Sequence, residues 1–179
     1  GGGQNQAGNG SGTTSDASYA TISGGLENTA SHWYTTIGGG ALNAVSGVGG
    51  TVGGGIRNIA SNVDSTVSGG AENTASGFVA AVGGGDSNLA SGGYATAGGG
   101  QDNTASGDYS TVSGGLSNLA SGNCATVAGG NSNVAVTYYA TVSGGQNNVA
   151  SGDYSTVPGG SNNSARNFWT FAAGRNCLP

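Results

Sequence analysis

Apolar and polar positions along this chain recur with a period of fifteen residues. Residues 24–173 divide into ten consecutive copies without a gap, from GGLENTASHWYTTIG to GGSNNSARNFWTFAA. Numbered 1 to 15 within each copy, positions 1 and 2 are Gly in all ten and position 5 is Asn in all ten. Position 7 is Ala in nine copies, with Val45 in the other. Position 14 is Val or Ile in eight, the exceptions being Ala97 and Ala172. Position 13 is Thr from Thr36 to Thr156, interrupted by Ala81. Upstream, residues 18–23 are the end of an earlier copy, and residues 1–9 look like the start of another, with irregular sequence between. Self-similarity at a fixed period of this size is the signature of a solenoid or array.

Within each copy, positions 11 to 15 alternate with period two, which predicts a strand. Positions 12 and 14 are small and apolar and should face inward. Positions 11, 13 and 15 carry Tyr, Thr and Ser and should face outward or against a partner. The Asn-x-Ala-Ser stretch predicts a second short strand with its Ala inward. The Gly pair marks a corner, because a fixed Gly supplies backbone freedom or close approach. Two short strands and two Gly-bearing corners describe one coil of a parallel β-solenoid, with coils ~4.8 Å apart. The expected fold is therefore all-β, a parallel β-solenoid of fifteen-residue coils. The expected organisation is N-terminal partial repeats over residues 1–23, the array over 24–173 and a tail over 174–179.

Asn28, Asn43, Asn58, Asn73, Asn88, Asn103, Asn118, Asn133, Asn148 and Asn163 occupy position 5. Asn tolerates left-handed geometry, and its amide can bond to the amide one copy above and below. This column is expected to be a structural ladder. The core it accompanies is thin, about one Val, one Ala and one Ala or Ser per coil. A single column of that kind needs ladders, end caps or association with other columns to offset backbone ordering. Association in a closed symmetric oligomer is the common solution. The outward position 6 residues Ile59, Leu89, Leu119, Val134 and Val149 make a stripe that neighbouring chains would cover at least in part, together with the Tyr column at position 11.

Composition narrows the function. Gly is 40 of 179 residues, there are 11 charged residues, and Lys and Met are absent. Ordinary globular chains carry roughly 25% charged residues. Three Arg cannot neutralise a run of phosphates, so a nucleic-acid partner is not expected. No window approaches ~18 consecutive apolar residues, so no helical membrane insertion of this segment is expected. The Gly-rich corners lack the Gly-Lys-Ser/Thr of a phosphate loop. His32 is the one His, and no base and orienter cluster around a nucleophile, so an enzyme is not expected. Asp86, Asp102, Asp108 and Asp153 are scattered among the copies without the nonapeptide spacing of a calcium repeat. Neither a metal nor a cofactor is expected.

The candidate binding surface is the outward column Thr96, Thr111, Thr126, Thr141 and Thr156 with Tyr94, Tyr109, Tyr139 and Tyr154 at position 11. Aromatic clusters mark both ends of the array, His32-Trp33-Tyr34 and Phe168-Trp169-Thr170-Phe171, where unpaired strand edges call for caps. Cys124 stands at a Tyr position and Cys177 lies in the tail. They are more than three coils apart, on the order of 15 Å, whereas a disulfide needs Cα atoms within ~7 Å. A tail that folds back, a disulfide between chains and two free thiols all stay open.

Ser110-Thr111-Val112-Ser113-Gly114-Gly115 with Asn118, Ala120 and Gly122 resembles the head repeats of trimeric autotransporter adhesins, the YadA-like family. Ser155-Thr156-Val157 followed by Gly159-Gly160 and Asn163 is a second such stretch. The closing Phe171-Ala172-Ala173-Gly174 is similar to the end of such arrays. The resemblance implies a left-handed parallel β-roll, three chains per head, at the cell exterior. It also implies homo-oligomeric partners and a host extracellular-matrix or surface ligand. The leading expectation is an extracellular structural or adhesive module, as a head or a fibre subunit. The alternative is an ice-binding solenoid, since Thr fills nine of ten successive coil positions from Thr21 to Thr156. A Thr column is also ordinary strand chemistry.

Overall fold

The computed structural model describes residues 3–8 and 19–178. Over these residues the chain winds into a parallel β-solenoid, one fifteen-residue copy per coil, with no helix among the described residues. Two long sheets run along the stack. The first has eleven two-residue strands, from Gln6–Ala7 to Ser164–Ala165, formed by positions 6 and 7. The second has ten, from Thr21–Ile22 to Thr156–Val157, formed by positions 13 and 14. Each strand pairs in parallel with its equivalent one copy on, as in Thr111↔Thr126 with Val112↔Val127 and Leu119↔Val134 with Ala120↔Ala135. A third line of pairing runs through position 3, from Leu26↔Ala41 to Gln146↔Ser161.

The core is the narrow space between the sheets. Ala105, Ala120, Ala135 and Ala150 line it from position 7, and Val112, Val127, Val142 and Val157 from position 14, all fully buried. Position 12 completes it with Ala80, Ala95, Ala125 and Ala140, or with Ser and Thr. Small side chains are a consequence of geometry here. The space inside a fifteen-residue coil is narrow, and it is filled mostly by Ala on one sheet and Val on the other, with Val45, Ile37 and Ala97 as buried variants.

Strand length departs from the expectation. Positions 11 to 15 do not form one extended segment; only 13 and 14 pair. Position 11 instead turns the chain in the left-handed region, with φ of 58° at Tyr94, 57° at Tyr109 and 55° at Tyr139. Position 4 does the same, with φ of 54° at Arg57 and 57° at Glu72. The coil thus has left-handed corners at non-Gly residues, a conformation that a side chain adopts at some cost. Stacking makes up for it, because the N–H of each such residue reaches a carbonyl one copy back. Tyr109 N donates to Gly93 O at 2.8 Å, and Arg57 N donates to Ala41 O at 3.0 Å.

The stack continues beyond both ends of the ten copies. Gln6↔Thr29 and Ala7↔Ala30 add a strand below, and the Asn5 carboxamide joins the Asn column by accepting from Asn28 N at 3.0 Å. Above, Gly160↔Gly174 and Ser161↔Arg175 pair, and Ser164 N donates to Cys177 O at 2.7 Å. Residues 174–178 therefore lie along the stack as a partial coil. Residues 1, 2 and 9–18 of the expected N-terminal repeats lie outside the described residues.

Two local features carry predictions. The hydroxyls of Ser110 and Ser155 at position 12 are buried without a hydrogen-bond partner. Other coils carry Ala at this position, so Ser110→Ala and Ser155→Ala should each stabilise the chain by about 1 kcal/mol, read from urea midpoints. Arg57 and Glu72, one coil apart at position 4, form an ion pair at 3.1 Å, with side chains 60% and 54% exposed. Removing either charge should change stability by no more than about 1 kcal/mol, and high salt should erase the difference.

Candidate functional site

The Asn column lies inside the coil. Asn118 is typical: its backbone N–H and its Nδ2 both donate to Asn103 Oδ1, at 3.0 and 3.1 Å. The same Nδ2 donates to Gly114 O at 2.9 Å and Gly130 O at 3.0 Å. Its own Oδ1 accepts from Asn133 N at 3.0 Å. Each carboxamide thus ties its own Gly corner to the coils on either side. All ten are at most 1% exposed, so no ligand reaches them. The column ends at Cys177, whose N–H donates to Asn163 Oδ1 at 2.9 Å.

The outer surface carries what the interior leaves free. Thr96, Thr111, Thr126, Thr141 and Thr156 point outward along the second sheet, in register and half-buried. Beside them position 11 is an aromatic column. Tyr94 stacks on Tyr109 with ring centroids 5.0 Å apart and planes 3° from parallel. Tyr139 stacks on Tyr154 at 4.9 Å, and Trp169 continues that stack at 4.4 Å. Coil spacing is close to ring-stacking distance, so identical residues one copy apart face each other with little adjustment. At the other end Tyr19 stacks on Tyr34 at 5.2 Å. The end residues Trp169 and Phe171 remain 68% and 65% exposed.

Cys124 interrupts the aromatic column between Tyr109 and Tyr139. Its sulfur, by charge and by hydrogen bonding, holds the Tyr139 phenol above the usual tyrosine range, and Tyr154 adds to the effect. Both cysteines are free thiols. Cys177 packs on the end of the core, on the line of the Asn column, whereas Cys124 is on the aromatic corner. The tail does not bring them together.

A groove of about 350 Å³ crosses the corner of coils seven, eight and nine. Ser121, Gly122 and Asn123, then Val136, Thr137 and Tyr138, and Asp153 line it. These are positions 8, 9 and 10 of successive copies. Six coils have Gly at position 9, where the backbone passes so near the next coil that a Cβ on Gly107 would lie 2.1 Å from Gly122 O. Coil eight has Thr137 there, between Val136 and Tyr138, and its Oγ1 is buried with no partner. The irregularity is present in the sequence at residues 136–138, but it falls outside the columns that repeat.

The fold and these surfaces define a class, a β-solenoid with a repetitive interior of mostly small residues and a variable exterior. Residues 110–122 match the family of the ubiquitous surface protein adhesin repeat. The match spans Ser110 to Gly122, from one second-sheet strand, through the Gly corner, to position 9 of the next coil. No curated protein matches the chain. An adhesin-type repeat in a repetitive β-solenoid fits an adhesive or structural role.

Proposed function

We propose that this chain is a cell-surface adhesive or structural module, a rigid solenoid that acts by binding and not by catalysis. The observation that carries the reading is the separation of roles around each coil. The most regular positions build the stack: the second Gly of each pair packs against backbone, Asn bridges carbonyls, and mostly Ala and Val fill the core. The widest variation faces out, including Tyr, Trp, Phe, Leu and Ile side chains in quantity, while the interior varies only among Gly, Ala, Ser, Thr, Val and Ile. Exposed apolar patches of that extent mark contact surfaces. The adhesin repeat at residues 110–122 supports the same reading and a place at the cell exterior.

The test is retention of beads carrying the purified chain on host cell layers and on matrix-coated wells. Retention above beads carrying an unrelated solenoid is the expected result. Equal retention counts against adhesion.

Association with copies of itself belongs to this proposal, with three chains as the first choice and a fibre as the second. Position 6 presents Ile59 at 39% exposure, with Leu89, Leu119, Val134 and Val149 half-buried along the first sheet. Replacing Leu89, Leu119 and Val149 together with Asp should dissociate the assembly in light scattering; an unchanged mass would show that the stripe is not the interface. A disulfide between chains through Cys124 or Cys177 would appear as a reducible dimer band. The aligned Thr column favours one second reading, ice binding, and thermal hysteresis measures it directly. The adhesive reading expects none.

A further inference from the structure

We infer that the groove across coils seven to nine is a binding site for a neutral sugar ring. The inference rests on the adhesive reading and supplies one contact chemistry for it. The starting point is a local violation of the repeat. At position 9, Gly lets consecutive coils approach closely; four coils depart from it, with His32, Asn62, Thr137 and Asn167, and of these Thr137 has a buried side-chain Oγ1 with no partner. An unpaired buried hydroxyl lowers stability, and Gly is available as the repeat's own solution. The substitution is therefore not explained by the stack. A groove opens at this corner, where Val136 replaces the Ser that eight other copies carry at position 8 and Tyr138 joins Trp33, Phe78 and Phe168 as an exposed aromatic residue at position 10.

The lining then sets the ligand. Ser121, Asn123, Tyr138 and Asp153 make no side-chain hydrogen bond or ion pair among the described residues, so their donors and acceptors are free for a ligand. Asn supplies both donor and acceptor, Asp supplies acceptors, and Ser and Tyr hydroxyls do either. Tyr138, 56% exposed, and Val136, 38% exposed, add an apolar wall. A planar amide, a carboxylate and hydroxyls beside an aromatic ring match a polyol ring that has C–H faces and a hydroxyl rim. The volume of about 350 Å³ lies at the small end of ligand sites, roughly 300–1,000 Å³, and suits a mono- or disaccharide. No Lys, Arg or His lines the groove, and Asp153 repels anions, so acidic sugars are excluded.

The experiment is a glycan array of neutral-hexose-terminated and sialic-acid-terminated oligosaccharides probed with the full chain. Saturation-transfer NMR with the corresponding free methyl hexosides accompanies it. Binding to neutral glycans alone is the expected result. Tyr138→Ala and Asp153→Ala should each weaken it about tenfold or more. A reversion of the corner to the coil-six sequence, Val136→Ser with Thr137→Gly and Tyr138→Asp, should abolish binding while the melting temperature holds or rises. A blank array, a signal from sialylated glycans alone, or a reversion variant that binds like the parent overturns the proposal. The bead assay keeps the two readings apart. Adhesion with a blank array removes the groove site and leaves the adhesive reading. Sugar binding without adhesion does the reverse.

Discussion

Asn118→Ala is expected to destabilise the solenoid by about 3 kcal/mol, more than its small surface footprint would indicate. The substitution strips Gly114 O and the Asn133 N–H of their side-chain partner inside the coil and leaves Gly130 O with one donor in place of two. Orphaned buried groups of this kind cost about 1–3 kcal/mol each. Because each coil contacts only its neighbours, the loss falls in the middle of the array and weakens the coupling of its two halves. Asn118→Asp should be worse than Ala at neutral pH. It keeps the acceptor but sets a second carboxylate oxygen against Gly114 O, Gly130 O and Asn103 Oδ1. Burial among acceptors raises the folded-state pKa of that carboxyl above its unfolded value. The penalty is then full above the folded pKa and shrinks as pH falls toward the unfolded one. Asn123→Ala, at an exposed residue outside the ladder, should leave stability nearly unchanged. Urea unfolding followed by circular dichroism, at neutral and acid pH, checks all three.

The second large effect separates two adjacent glycines. At Gly70 φ is +88°, and a Cβ there would lie 2.2 Å from Gly85 O and 2.8 Å from Gly85 N. Neither atom can yield, because both are backbone of the next coil in the stack. Gly70→Ala should lower stability by more than about 3 kcal/mol, combining left-handed strain with a clash. At Gly69 a Cβ would meet nothing within 4 Å. Gly69→Ala should be neutral or should stabilise by about 0.4–1 kcal/mol through the unfolded chain. Melting temperatures of the two variants test the contrast. Equal effects would mean that the Gly pair is needed only for flexibility.

The same contrast explains what the sequence made legible. Fifteen-residue periodicity determines the coil, and the invariant column at position 5 with the nearly uniform ones at positions 7 and 14 determines its interior, since one departure there is felt by two neighbours. Asn28 to Asn163 and Val112 to Val157 could be placed on that basis alone. Strand extent could not. A run such as Tyr109-Ser110-Thr111-Val112 alternates like a strand, yet Tyr109 is a left-handed corner. The bond that holds it there comes from Gly93, one copy away, and local alternation carries no trace of it. Position 4 hides for the same reason: Glu27, Leu42, Arg57 and Ser87 share a backbone conformation and no side-chain chemistry. Cys177 escaped because the last step is one residue shorter than the period, Gly160 pairing with Gly174, so a count by fifteen misses its place above Asn163. The groove at Thr137 leaves no mark in the period, because a period emphasises agreement and this corner is where the copies differ.

Side-chain amide exchange by NMR tests the central claim most directly, that the Asn column is the interior frame and all recognition lies outside it. The Nδ2 protons of Asn43 to Asn148 should exchange as slowly as the backbone amides of the strands, and far more slowly than those of exposed Asn123 and Asn147. Ladder carboxamides that exchange as fast as Asn123 would contradict the account, because the column would then be open to solvent and to ligand.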